Sequence, residues 1–114
     1  MKVGEIAKVL KSKVLCGDAQ LDKEIDYAFS SDLMSDLLTI EKESVILLTG
    51  LSNIQTIRAA EMQMIDAIVI ARGKTPTEEM IRLAEENNMV LMQFNGTLFS
   101  ASGLLYNAGL RSVY

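Results

Sequence analysis

"DAIVIARGKTPTEEMIRLAEENNMVLMQF", residues 66–94, carries two short apolar runs separated by an amphipathic segment. "DAIVIA" (Asp66–Ala71) and "MVLMQF" (Met89–Phe94) are of strand length and apolar without a break. Strands buried on both faces read this way, whereas half-exposed strands alternate. Between them, Thr75 is placed to cap a helix, Pro76 to occupy its first position and Glu78 to close the capping box. Asn87-Asn88 suits a left-handed helix end. Strand, helix and strand in this order make a βαβ unit, which requires a parallel pair with the helix packed on the sheet.

The same grammar extends in both directions. Upstream, "SVILLT" (Ser44–Thr49) is another apolar run, stopped by Gly50. A helix follows it, with Ser52 and Gln55 matching the S-x-x-Q box. Downstream, Asn95-Gly96 turns the chain and Thr97 caps a last helix from Leu98 to Ala108, closed by Gly109. Gly103 inside that helix costs roughly 1 kcal/mol against alanine, which close approach to the sheet would explain. At the other end, Val3, Ile6, Ala7 and Leu10 repeat at helical spacing over about Lys2–Ser12. "KVLCG" and "YAFS" are short extended pieces around a polar loop. In "SSDLMSDLL", Leu33 with Leu37 and Met34 with Leu38 sit four apart on a short helix. The expected architecture is a single α/β domain spanning residues 1–114, its sheet mixed or mostly parallel and flanked by helices.

Composition bounds the function. The chain has 114 residues, 49% of them hydrophobic and 23% charged, the mix of an ordinary globular domain. Eleven basic against fifteen acidic residues give a net charge of −4, and the basic ones are scattered. Nucleic acid and membrane surfaces are therefore poor partners. The charged N-terminus is unlike a signal peptide, and the single cysteine, Cys16, makes no intrachain disulfide, so a cytoplasmic location is expected. The chain has no histidine, which removes His-based triads and most zinc sites. No G-x-x-x-x-G-K-[ST] or G-x-G-x-x-G motif occurs. No cofactor or metal site is expected.

Open α/β sheets bind ligands at the carboxyl ends of their strands. Four junctions lie there: Ser30-Ser31-Asp32, Thr49-Gly50 through Asn53, Arg72-Gly73-Lys74-Thr75, and Asn95-Gly96-Thr97. Each also carries the residues a helix cap requires. At the first, Asp32 and Asp36 bring negative charge to a helix start, which disfavours bare phosphate and suits a hydroxyl-bearing group such as a ribose. Two carboxylates four apart are also a weak signal for a divalent cation. The second and third suit phosphate, through free backbone N–H groups, Gly50 and Gly73, and the cations Arg72 and Lys74. Ser30, Ser31, Asp32, Thr49, Gly50, Asn53, Gly73 and Lys74 are the candidate ligand-binding set. On this reading Asp32→Ala changes ligand affinity and leaves the fold intact. Seven methionines in so short an apolar chain, with Met62, Met64, Met89 and Met92 grouped, fit core filling or a leftover patch buried in a homodimer.

"LCGDAQLDKEIDYAFSSDLMSDLL", "VILLTG" and "AIVIARGKTPTEEMIRLAEENNMVLM" together resemble the DRTGG domain family. The resemblance rests on Ser31-Asp32-Leu33, Ser35-Asp36 and Gly73-x-x-Pro76, with Lys23 where the family often has arginine. It implies a fold similar to the non-catalytic N-terminal domain of HPr kinase/phosphorylase and, more distantly, to the uridine-nucleotide-binding domain of Mur ligases. It implies a regulatory, non-enzymatic role, since the P-loop of a kinase is missing. A stand-alone module sensing a nucleotide or related ligand, dimeric in form, is the expected function. An adaptor that docks a partner enzyme through an apolar face is the alternative.

Overall fold

A computed structural model describes residues 1–114. Six strands form one sheet: β1 (Lys13–Cys16), β2 (Tyr27–Ser30), β3 (Val45–Thr49), β4 (Ala67–Ile70), β5 (Val90–Gln93) and β6 (Arg111–Ser112). Their order is β1-β5-β4-β3-β2-β6. Every neighbouring pair is parallel except β1–β5, an antiparallel edge with a register shift between Val14 and Cys16. Four helices accompany the sheet: α1 (Val3–Leu10), α2 (Ile54–Met62), α3 (Glu78–Glu86) and α4 (Leu98–Asn107).

The continuous apolar runs are explained by burial on both sides. Successive residues of a strand point to opposite faces. Thus Ile46, Leu48, Val69 and Met92 join α1 and α4 in one core, through Val3, Ile6, Ala101 and Leu105. Val45, Leu47, Ile68, Ile70 and Leu91 join α2 and α3 in the other, through Ile57, Ala60, Met80 and Ala84. All five residues of β3 and all four of β4 are buried. The one polar residue of these two strands, Thr49, lies at the carboxyl end of β3.

The helix starts shift slightly from the expected ones. Asn53, not Ser52, caps α2 by accepting from Thr56 N–H (3.1 Å). Thr77, not Thr75, caps α3 by accepting from Met80 N–H (3.2 Å), so Pro76 lies outside the helix and is buried. Thr97 caps α4 as expected. The leucine-rich segment after β2 winds as a 3-10 helix, Met34–Thr39, with only Leu37 buried. Of the grouped methionines, Met89 and Met92 are core residues while Met62 and Met64 are exposed. Gly103 has nothing within 4 Å of where a Cβ would stand, so close packing on the sheet is not its reason. β6 was not foreseen; it is two exposed residues held between buried Leu110 and Val113. No helix is long and apolar enough to cross a membrane.

Strand connections fix where ligands can approach. β2, β3, β4 and β5 step across the sheet one place at a time, with α2 and α3 on one face. After β5 the chain passes along α4 on the opposite face and returns beside β2. The connections after β4 and β5 therefore diverge, and the carboxyl ends of these two strands form the switch point of the fold.

Candidate functional site

At the switch point the two diverging loops are stitched together. Arg72 N–H donates to Gly96 O (2.6 Å) and Gly73 N–H to Phe94 O (2.9 Å). Gln93 Nε2 donates to Gly73 O (3.0 Å). Arg72 and Gly73 are both left-handed, with φ of 67° and 66°. A left-handed arginine costs roughly 1–2 kcal/mol relative to ordinary backbone. What the turn achieves is direction: it sends two cationic side chains back across β4 toward the end of β3.

There they meet one peptide unit. Gly50 O accepts from an Arg72 guanidinium nitrogen (3.1 Å) and from Lys74 Nζ (2.8 Å). Gly50 N–H donates to Asp32 Oδ1 (2.6 Å), which also accepts from Thr49 Oγ1 (3.0 Å). Three loops far apart in sequence thus converge on Gly50 from the ends of β2, β3 and β4. A side chain at position 50 would stand 2.8 Å from the Arg72 nitrogens, so glycine is what lets the guanidinium lie against the backbone. The molecule's ion pairs, the Met1 amine with Glu24 and Lys23 with Asp66, lie elsewhere. Arg72 and Lys74 are exposed cations answered by a carbonyl oxygen alone, one rim of a site whose other rim is the Asp32 carboxylate.

The candidate residues divide accordingly. Asp32, Thr49, Gly50 and Lys74 come together, joined by Arg72. Thr49 is fully buried and saturated, since its hydroxyl also accepts from Leu51 N–H (3.1 Å). Gly73 shapes the turn; a Cβ there would meet Asn95 Oδ1 at 2.6 Å. Asn53 is occupied as a cap. Ser31 Oγ donates to Asp36 Oδ2 (2.9 Å) and accepts from Leu33 N–H (3.0 Å), bracing the loop from inside. Asp32 and Asp36 therefore serve different partners. Ser30 turns to the other face and shares a hydrogen bond with Ser102 of α4 (2.7 Å).

Ser30 also borders a cavity of about 390 Å³ between the β2–β6 edge and the end of α4, lined further by Leu48, Ser102, Tyr106, Arg111 and Tyr114. Sequence reasoning missed it because β6, with Leu110 and Tyr114 beside it, closes one side. Arg111 stacks over the Tyr27 ring at 4.9 Å, with Lys42 at 5.4 Å from the same centroid. Cys16 is buried beneath α3, and desolvation, followed by the charges of Glu85 and Asp18, raises its thiol pKa above the ordinary value. That suits a core residue and not a nucleophile. Lys23 reaches across to Asp66, at the start of β4, and clamps the loop before β2 to the amino end of the sheet.

The DRTGG domain family model matches residues 5–108. The chain belongs to the DRTGG domain family. No curated protein matches it. Among solved structures, it is similar to the CBS and DRTGG domains of the regulatory region of the Clostridium perfringens pyrophosphatase, determined with its activator diadenosine tetraphosphate. The two share 18% identity at a TM-score of 0.73, over 91% of this chain and 45% of that one. The likeness is one of fold, and this chain spans less than half the length of its neighbour.

Proposed function

We propose that this DRTGG domain is a regulatory, ligand-sensing module of the cytoplasm, without catalytic activity, that binds a nucleotide or related anion at the carboxyl ends of β2, β3 and β4. The observation that carries the reading is the convergence on Gly50. Arg72 and Lys74 offer charge to a phosphate that a single carbonyl oxygen does not neutralise. The free oxygen of Asp32 can accept from a ribose hydroxyl on the same rim. Anion and sugar subsites, read separately along the sequence, are supported here as parts of one surface. The activator bound in the regulatory region of the Clostridium perfringens pyrophosphatase supports the nucleotide class.

Thermal unfolding against a panel of nucleotides, nucleotide sugars and diadenosine tetraphosphate tests this reading. A ligand at a hundredfold its Kd stabilises the native state by about 2.7 kcal/mol. In a domain of this size that raises Tm by about ten degrees. Lys74→Met should abolish the shift and cost the unliganded fold no more than about 1 kcal/mol, because Lys74 is exposed and Arg72 still donates to Gly50 O. A shift that survives Lys74→Met together with Arg72→Met rejects the site.

The adaptor reading is favoured by a separate observation. Leu33 and Leu38 are exposed on the loop that carries Asp32, beside the same rim. It predicts a silent panel and a partner enzyme released by Leu38→Asp.

A further inference from the structure

α4 is a surface helix without a charge. From Asn95 to Leu110 the chain has no Asp, Glu, Lys or Arg, while each of the other three helices carries both signs. Its inner side packs through Ala101 and Leu105. The opposite side presents Phe99, Gly103 and Tyr106, spaced i, i+4, i+7 on one stripe. Phe99 is 89% exposed and Tyr106 75% exposed. Between them Gly103 faces open space, so nothing within the molecule accounts for a glycine in mid-helix.

The stripe contains both a knob and a place for one. Phe99 projects near the start of the helix. Tyr106, two turns later and roughly 10 Å along the axis, stands at the mouth of the β2–β6 cavity. Gly103 lies close to the midpoint. A two-fold axis through that midpoint brings each Phe99 against the other copy's Tyr106 and cavity, and brings the helices closest where no side chain intervenes. This is the self-complementarity an isologous contact requires.

We propose that α4 is the contact face for a second copy of this chain, packed antiparallel on its own counterpart across an axis beside Gly103. Charge favours this occupant. Two chains of net charge −4 repel, and they meet most easily where neither carries a charge. A membrane finds no cation on α4 to hold anionic headgroups, and the one charge beside the cavity, Arg111, is stacked on the Tyr27 ring. Size is compatible: Phe99, Tyr106 and the neighbouring 76%-exposed Tyr114 of both copies expose on the order of 1,000 Å², the lower bound for a specific interface.

Sedimentation equilibrium of the full chain over a wide concentration range tests the proposal. The wild type should be a dimer. Phe99→Glu and Gly103→Arg, both at positions open to solvent in one copy, should each raise the dimer Kd about tenfold or more and leave the circular dichroism spectrum unchanged. Met64→Asp removes a comparably exposed apolar side chain just beyond the carboxyl end of α2 and should leave the dimer intact. A wild type that stays monomeric at every concentration overturns the proposal. So does a dimer that tolerates both α4 variants, or one that Met64→Asp breaks instead.

Discussion

Asp32→Ala removes one acceptor from two buried donors at once. The Gly50 N–H and the Thr49 hydroxyl both end on Asp32 Oδ1, at 2.6 and 3.0 Å, and neither residue is open to solvent. Each buried donor left unpaired costs about 1–3 kcal/mol. Thr49 can turn its proton elsewhere and water can reach the rim, so the lower end of the range applies, about 1–1.5 kcal/mol for each donor and about 2–3 kcal/mol for the pair. Unfolding entropy for a chain this long converts that to a fall in Tm of about ten degrees. Asp32→Asn keeps an oxygen in the same place. It gives up only the charge-assisted part of the bonds and should cost under about 1 kcal/mol. The assay is urea unfolding followed by circular dichroism, with Tm as a check. If the alanine variant melts within about two degrees of wild type, the carboxylate does not hold the end of β3 and the argument fails. Equal losses in both variants would show that charge, not the acceptor, is what matters. On the ligand-binding reading of the sequence, Asp32→Ala spares the fold; the structure makes Asp32 a strut as well as a candidate ligand, so Lys74 is the cleaner functional probe.

Gly50→Ala places a methyl group 2.8 Å from the Arg72 nitrogens, the mobile end of a long side chain; stability should fall by no more than about 1 kcal/mol, while any nucleotide-induced Tm shift disappears. Gly17→Ala is the severe counterpart. Its Cβ would lie 2.7 Å from Met89 O and Val90 Cα, at a φ of 90°, and a urea titration should show a loss of about 3 kcal/mol or more. Gly103→Ala meets open space and should raise the stability of the single subunit by up to about 1 kcal/mol, measured on a Phe99→Glu background. Burial raises the folded pKa of Cys16, so the native state holds the thiol proton longer than the unfolded chain does. The associated stability is complete below the unfolded thiol pKa and is lost as pH rises through the folded one. Urea midpoints taken up to about pH 10 should therefore fall, and the fall should flatten in Cys16→Ala.

The parallel core was legible because burial on both faces leaves a one-dimensional signature. Val45–Thr49, Ala67–Ile70 and Val90–Gln93 are unbroken apolar runs for the same reason that they are central strands. Helix starts were legible to within a residue or two, since Ser52 and Asn53, or Thr75 and Thr77, carry equivalent chemistry and the choice depends on where the chain emerges from the sheet. The spacing of Leu33 with Leu37 and Met34 with Leu38 reads as a short helix. In the structure Ser31 and Asp36 close local hydrogen bonds that compete with regular helix, leaving Leu33 and Leu38 outside. β6 left no pattern, being too short for a period, and the cavity it completes was invisible with it. The four junctions could be named from sequence. That three of them meet on Gly50 could not, because the left-handed turn at Arg72 and Gly73 is a tertiary arrangement, fixed by pairing with the loop after β5.

β6 pairs in register with β2, Tyr27 beside Arg111 and Ala28 beside Ser112. Strands adjacent in the sheet are here separated by most of the chain. During synthesis, β2 through β5 can assemble as they emerge, each on its predecessor. The outer edge of β2 stays unpaired until Arg111 and Ser112 leave the ribosome. Over that interval the nascent chain presents an open row of backbone donors and acceptors, with Ala28 and Phe29 beside it, to every other nascent chain nearby. Arg111 and Ser112 therefore act as a latch, and a chain released before Leu110 should be recognised by chaperones and proteases as unfinished.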